Sequence, residues 1–182
     1  PRRQELCLFY VADTNETKKI DNENKLRDGF IKTAAAETFL AWHYYKIKNG
    51  NVPSKLDEEL KQGEDPLKNF CDPMFYTYGD YRDIMFGYRH FEKGWKLVKN
   101  AKGKIDEIFP NIDGKTDEKK REEFWKENGK EIWKGMLCAL SYDTTKKNMD
   151  YEAQKELNSN YNYNTIKDDL ADFATRPQFF RW

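Results

Sequence analysis

Phe30-Ile31-Lys32-Thr33-Ala34-Ala35-Ala36-Glu37-Thr38-Phe39-Leu40-Ala41-Trp42-His43-Tyr44-Tyr45 is the stretch from which the fold is read. Within the wider run from Leu26 to Lys48, the residues Phe30, Ile31, Ala34, Ala35, Thr38, Ala41, Trp42 and Tyr45 recur at steps of three and four. That spacing lines one side of an α-helix; a strand would need a period of two. Asn49-Gly50-Asn51 then breaks the helix. Pro53-Ser54, with Asp57 three residues after the serine, reads as the capping box of a short, polar helix ending near Gln62.

The same period returns further along the chain. Met74, Phe75, Tyr78, Tyr81, Arg82 and Met85 predict a helix over about 74–86, with Gly87 as its stop. A charged helical stretch runs from about Phe91 to Phe109, with Trp95, Val98, Lys102, Ile105 and Ile108 on one side, until Pro110 and Asp113-Gly114 end it. Another helix begins near Thr116 and carries Phe124, Trp125, Ile132, Trp133, Met136, Leu137 and Leu140 inward. Asn128-Gly129 lies in its middle, but the packing stripe crosses that dipeptide unbroken, which favours one helix over a hairpin. From Tyr142 to Tyr163 the chain is rich in Asn, Lys, Asp and Tyr without apolar periodicity, as in a long surface connection with a helical stretch around Tyr151 to Leu157. Asn164 is positioned to cap a last helix through Ala174, and Pro177 to open a further one. No strand alternation, hairpin signal or internal repeat is apparent. The expectation is an all-α bundle of about four main helices with long surface loops, in which Trp42, Trp125 and Trp133 are buried.

Composition bounds what such a bundle does. The 182 residues suffice for one domain, and 32 Lys plus Arg balance 32 Asp plus Glu, so the molecule as a whole has no general attraction to nucleic acid or to an anionic membrane. Twelve Phe, eleven Tyr and five Trp argue against disorder despite the high charge content. No run of about 18 apolar residues is present, so no membrane contact by this stretch is expected. Pro1-Arg2-Arg3 at one end and Phe179-Phe180-Arg181-Trp182 at the other read as cut sites in a larger protein. Cys7, Cys71 and Cys138 make an odd number. In a secreted protein that leaves one thiol free or paired elsewhere; in a cytosolic one all three would be buried thiols.

Catalytic and cofactor motifs are missing from the sequence: there is no phosphate loop, dinucleotide fingerprint, His-Glu-x-x-His, nucleophile elbow or Cys-x-x-Cys. His43 and His90 have no nucleophile or ligand at a useful spacing and read as surface or capping residues. Adjacent carboxylates such as Glu58-Glu59 and Asp168-Asp169 leave different sides of their helices and form no acid–base pair. Neither a cofactor nor an enzyme activity is expected. Two other features stand out. Arg89, Lys93, Lys96, Lys99, Lys102 and Lys104 face only Glu92 as an opposing charge within their span, a strip that fits sulfates or carboxylates of a glycan; the plainer reading is a solvated lysine face whose stems shelter aromatics. Asn15-Glu16-Thr17 is a formal glycosylation acceptor, a triplet that arises often by chance.

Five blocks carry a resemblance. They are Pro1-Arg2-Arg3-Gln4-Glu5-Leu6-Cys7; Phe30 through Trp42 as quoted above; Met74-Phe75-Tyr76-Thr77-Tyr78-Gly79-Asp80-Tyr81-Arg82-Asp83-Ile84; Glu131-Ile132-Trp133-Lys134-Gly135-Met136-Leu137-Cys138-Ala139-Leu140; and Arg176-Pro177-Gln178-Phe179-Phe180-Arg181-Trp182. In this order, and over nearly the whole chain, they resemble the Duffy-binding-like domains of the Plasmodium falciparum erythrocyte membrane adhesins. The match is to the middle helical subdomain, residues 1–182 being that subdomain truncated at both ends. The second block is most similar to the epsilon-type class. Thr33 and Met85 stand where many members carry Cys, so bridges made there in relatives cannot form here.

The resemblance implies a transmembrane parent that displays this module on the extracellular face of the infected erythrocyte, for cytoadhesion and antigenic variation. The implied partners are a host cell-surface receptor, an immunoglobulin or a sulfated glycosaminoglycan, together with neighbouring subdomains of the parent. A spacer that presents a variable surface without a ligand of its own is the alternative. The resemblance also implies a disulfide between Cys7 and Cys138, which both sit where a segment enters the core, and leaves Cys71 free or paired outside this stretch. Because the blocks are rich in Trp, Phe, Ala and paired charges, they read as scaffold, and recognition is expected in the variable stretches between them.

Overall fold

The computed structural model describes residues 6–49, 60, 70–87, 96–110, 117–176 and 181. The decisive stripe lies in α3 (Glu23–Asn49), preceded by two single-turn helices, α1 (Phe9–Ala12) and α2 (Thr14–Thr17). Then follow α4 (Cys71–Phe86), α5 (Lys96–Ile108), α6 (Glu118–Leu140), α7 (Tyr151–Asn160) and α8 (Tyr163–Thr175). The all-α reading holds, and the four long stripes read from the sequence fall on α3 to α6. Helices α3 and α6 make the most extensive contact; α4 packs on α3, α6 and α8, α5 on α1 and α4, and α7 on α6.

The core where these helices meet is aromatic. Phe30 of α3 is in ring contact with Tyr81 of α4 and with Phe124 and Trp125 of α6. Trp133 meets Phe75 and Tyr78 edge-on, and Trp42 stacks on Tyr45 with its edge against Phe70. Trp42, Trp125 and Trp133 are all buried, as the stripes required. Rings of this size bury large apolar areas and prefer edge-to-face contacts, so a few of them fill the space between four helices.

Capping and turn chemistry fix the element ends. Asp117 caps α6 by accepting from the Lys120 amide, and Gly87 ends α4 in the left-handed conformation, at φ 70°. Asn128-Gly129 stays within α6: a Cβ on Gly129 would stand 2.3 Å from the Tyr78 hydroxyl, so the glycine admits α4 rather than breaking the helix. The Tyr142–Tyr163 segment is more ordered than its composition suggested. It forms a two-residue antiparallel ribbon, β1 (Tyr142–Asp143) with β2 (Asn148–Met149), and then α7, capped by Asp150. The ribbon turns without glycine: the Asp143 carboxylate accepts from the Thr145 and Lys146 amides, and Lys147 takes a positive φ of 54°. The last helix is capped by Asn162 rather than Asn164. The short helix expected over residues 54–62 and the helix expected at Pro177 lie outside the described residues, apart from buried, helical Leu60.

Candidate functional site

Described residues of the sequence blocks, among them Phe30, Trp42, Tyr81 and Trp133, build much of the interior. In α4 a single turn, Gly79 to Asp83, gathers the chain around it. The Tyr81 hydroxyl donates to the carbonyl of Cys7 at 2.7 Å, and Arg82 donates to the Ala174 carbonyl at 3.2 Å while lying 4.6 Å from the Phe86 ring centroid. Arg181 donates from Nη2 to both Asp83 carboxylate oxygens, at 2.8 and 2.7 Å, and its Nη1 stands 3.8 Å from Asp80. Gly79 is required here, since a Cβ would stand 2.5 Å from Arg181 Nη1. Arg121 is a second buried cation, donating to the Met85 carbonyl at 2.9 Å and to Asp106 at 2.6 Å. Each guanidinium is held inside by acceptors aimed at part of its fork, while Arg121 Nε and Arg181 Nη1 have no hydrogen-bond partner among the described residues. Both arginines belong to the scaffold and are closed to a ligand.

The lysine strip is only partly a single surface. Arg89 and Lys93 lie outside the described residues. On α5, Val98, Ala101 and Ile105 face the core, and Lys96 and Lys99 project from the opposite side, both exposed and without an ion-pair partner among the described residues. Lys102 and Lys104 differ. Two residues along a helix turn through about 200°, so these side chains leave opposite flanks. Lys102 reaches Asp106 at 3.9 Å, and Lys104 is largely covered and paired with Glu107. Among the described residues of the strip, Lys96 and Lys99 are therefore the cations without an ion pair; Lys102, one turn beyond Lys99, is drawn to Asp106, and Lys104 lies on the other flank. Leu97, on the flank of α5 away from Lys99, is 47% exposed, and α1, on which α5 packs, leaves Phe9 exposed.

Cys7 and Cys138 are half-buried free thiols in this structure, so the implied bridge is not formed here. Burial pushes the Cys7 thiol up from its ordinary range, with the Glu37 carboxylate adding to the effect. Glu37 also accepts the Cys7 amide at 2.9 Å, while the Gln154 amide lies 3.7 Å from Cys138 Sγ. His43 stacks face to face with Phe39 on the surface, as a surface histidine does, and His90 lies outside the described residues. Asn15, the formal glycosylation acceptor, is exposed in α2.

Two surfaces escaped the sequence reading. The first is an open groove of about 410 Å³ at the α2–α3 turn, lined in part by Tyr10, Lys19, Asp21, Lys25 and Lys32. Its charges are mostly matched internally: Lys19 pairs with Glu16 at 2.5 Å and Lys25 with Asp21 at 2.6 Å, and the Lys25 contact holds the Asp21 carboxyl below its usual range. The second is an apolar ridge on the C-terminal half of α3, formed by Leu40, Tyr44 and Ile47, all more than half exposed. These three fall at i, i+4 and i+7, and the signal that could have found them is that they are off the phase of Trp42 and Tyr45. Among the described residues, no group of three or more His, Cys, Asp and Glu is placed to hold a metal ion, and no helix is long and apolar enough to cross a membrane.

An all-helical scaffold whose buried charges lock helices together, with exposed cationic and apolar faces on its outside, has the build of a binding module. A family model, the Duffy binding domain, matches residues 1–181, and the chain belongs to that family. Its members are extracellular adhesion modules with receptor-binding roles in Plasmodium proteins, and they are not enzymes. No curated protein matches the chain, and no solved structure does.

Proposed function

We propose that the chain is the middle helical subdomain of an epsilon-type Duffy-binding-like domain, carried by a transmembrane parent on the surface of the infected erythrocyte. There it contributes to cytoadhesion through the solvent side of α5, and its exposed stretches vary antigenically. The observation that carries the site is the pair Lys96 and Lys99, exposed and without ion-pair partners among the described residues. Unpaired cations suit a sulfated glycosaminoglycan or an acidic patch on a receptor or immunoglobulin, because no internal carboxylate has to be displaced first. Lys102 and Lys104, already paired within the helix, contribute less. An extracellular setting also favours oxidation of Cys7 and Cys138 to a disulfide.

Chromatography on heparin or chondroitin sulfate tests the site. Retention is expected to weaken steeply with added salt, since exposed charges are screened over about 8–10 Å at physiological ionic strength, and to be lost in the Lys96→Glu/Lys99→Glu variant. Unchanged retention of that variant would reduce the two residues to a solvated face. The spacer reading is favoured by a different observation, the uncovered Leu40–Tyr44–Ile47 ridge, which suits packing against a neighbouring subdomain.

A further inference from the structure

The first and last described parts of the chain are fastened to one turn of one helix. On the entry side, the Tyr81 hydroxyl holds the Cys7 carbonyl at 2.7 Å. On the exit side, Asp83 holds Arg181 through two bonds of 2.7 and 2.8 Å, with both side chains only 2% exposed. Tyr81 and Asp83 are two residues apart, about 200° around the helix, so entry and exit lie on opposite sides of α4. We infer that residues 79–83 of α4 form a tension clamp: a pull between the chain before Cys7 and the chain after Arg181 passes mainly across one helix, about 10–12 Å wide, with a side branch into α3 through Glu37 and Thr33, and does not load the packing of α3 against α6 directly. This inference holds whatever ligand the module binds.

The two attachments differ in kind. The exit bond is bidentate and charge-assisted in a place closed to water, where no solvent molecule can take over a broken contact. Gly79 leaves the room the guanidinium needs. Arg181 also donates from Nε to the Arg176 carbonyl at 2.9 Å, and Arg82 holds the Ala174 carbonyl, so the segment leaving α8 is stapled back onto α4 before any load reaches α8. The entry side rests on neutral hydroxyl contacts to the Cys7 and Thr33 carbonyls and on the Cys7 amide bond to Glu37 of α3.

Optical-tweezer unfolding of the full chain at constant force tests this. Handles are placed at the two termini or, as a control direction, at exposed Lys119 and Lys134 of α6. Tyr81→Phe keeps the ring and removes the hydroxyl contacts to the Cys7 and Thr33 carbonyls; Arg181→Lys keeps the charge and removes the fork. Each is expected to raise the unfolding rate under end-to-end force by at least about tenfold and to leave the rate across α6 unchanged. Equal acceleration in both directions would show that these residues add only general stability, and no acceleration would show that the load travels elsewhere; either result overturns the clamp. Should Arg181→Lys fail to fold, Tyr81→Phe alone carries the test.

Discussion

Gly129 shows how a residue that argues against a helix in one dimension supports it in three. By propensity a mid-helix glycine costs about 1 kcal/mol relative to alanine, yet here the missing Cβ is what lets the Tyr78 hydroxyl reach the α6 backbone. Gly129→Ala should therefore destabilise by about 1–2 kcal/mol through overpacking, measured by urea unfolding. Because the clash is with the hydroxyl alone, the same substitution in a Tyr78→Phe background should cost nothing or stabilise. Tyr78 also sets a pH dependence. Burial, foremost, and the adjacent Tyr163 raise its pKa far above the ordinary tyrosine range. Above about pH 10 the unfolded chain loses this proton while the native state keeps it. The unfolded state then binds fewer protons, so stability should fall with rising pH by about 1.4 kcal/mol per unit, and Tyr78→Phe should flatten that alkaline limb. The burial of Trp42, Trp125 and Trp133 was legible in the sequence because each lies on a stripe. The partners of Arg181, Arg121 and Tyr81 were not, because their sequence separations of 98, 36 and 74 residues follow no local pattern.

Among the elements, the legible ones have long apolar periods and the missed ones are held by single polar contacts. Helices α3, α4 and α6 could be read because burial repeats along them. The ribbon at Tyr142–Met149 was missed because its turn is made by an Asp143 side chain and a positive φ at Lys147 rather than by glycine. The cap of α8 was placed two residues late because Asn162 and Asn164 are equivalent in sequence, and only the backbone shows which carbonyl group accepts from the Thr165 amide. For α6 the decisive residue is Trp133, 1% exposed, whose indole donates to the Tyr161 carbonyl at 2.8 Å and so ties α6 to the α7–α8 junction. Trp133→Ala should cost about 3–5 kcal/mol by opening a cavity, read from thermal or denaturant unfolding. A loss below about 1 kcal/mol would contradict the packing described. The lysine strip was half legible: sequence counting saw the excess charge on α5, but the division into a free pair and two paired flanks depends on Asp106 and Glu107, which the span counted from the sequence did not include.

At the scale of the whole molecule, two properties follow from the module's place outside the cell. If Cys7 and Cys138 are oxidised, the bond closes a loop of well over about 100 residues and should stabilise the fold by about 4–5 kcal/mol in the chain-entropy model. Peptide mapping without reductant should then yield a peptide joining Cys7 to Cys138, and reduction should lower the melting temperature; linkage through Cys71 would contradict the pairing. The second property is division of labour. Many of the residues that carry the family resemblance are used in the interior, as Trp42, Trp133, Asp83 and Arg181 show, which leaves most of the outside to the ligand. That claim is tested most directly by probing an array of host receptors, immunoglobulins and sulfated glycans with this chain, its Lys96→Glu/Lys99→Glu variant and the intact parent domain. The account predicts that the chain alone binds a subset of what the parent binds and that the variant loses that subset while keeping its helical spectrum. Binding by the parent with none by the chain, or a variant that binds as the chain does, would contradict it.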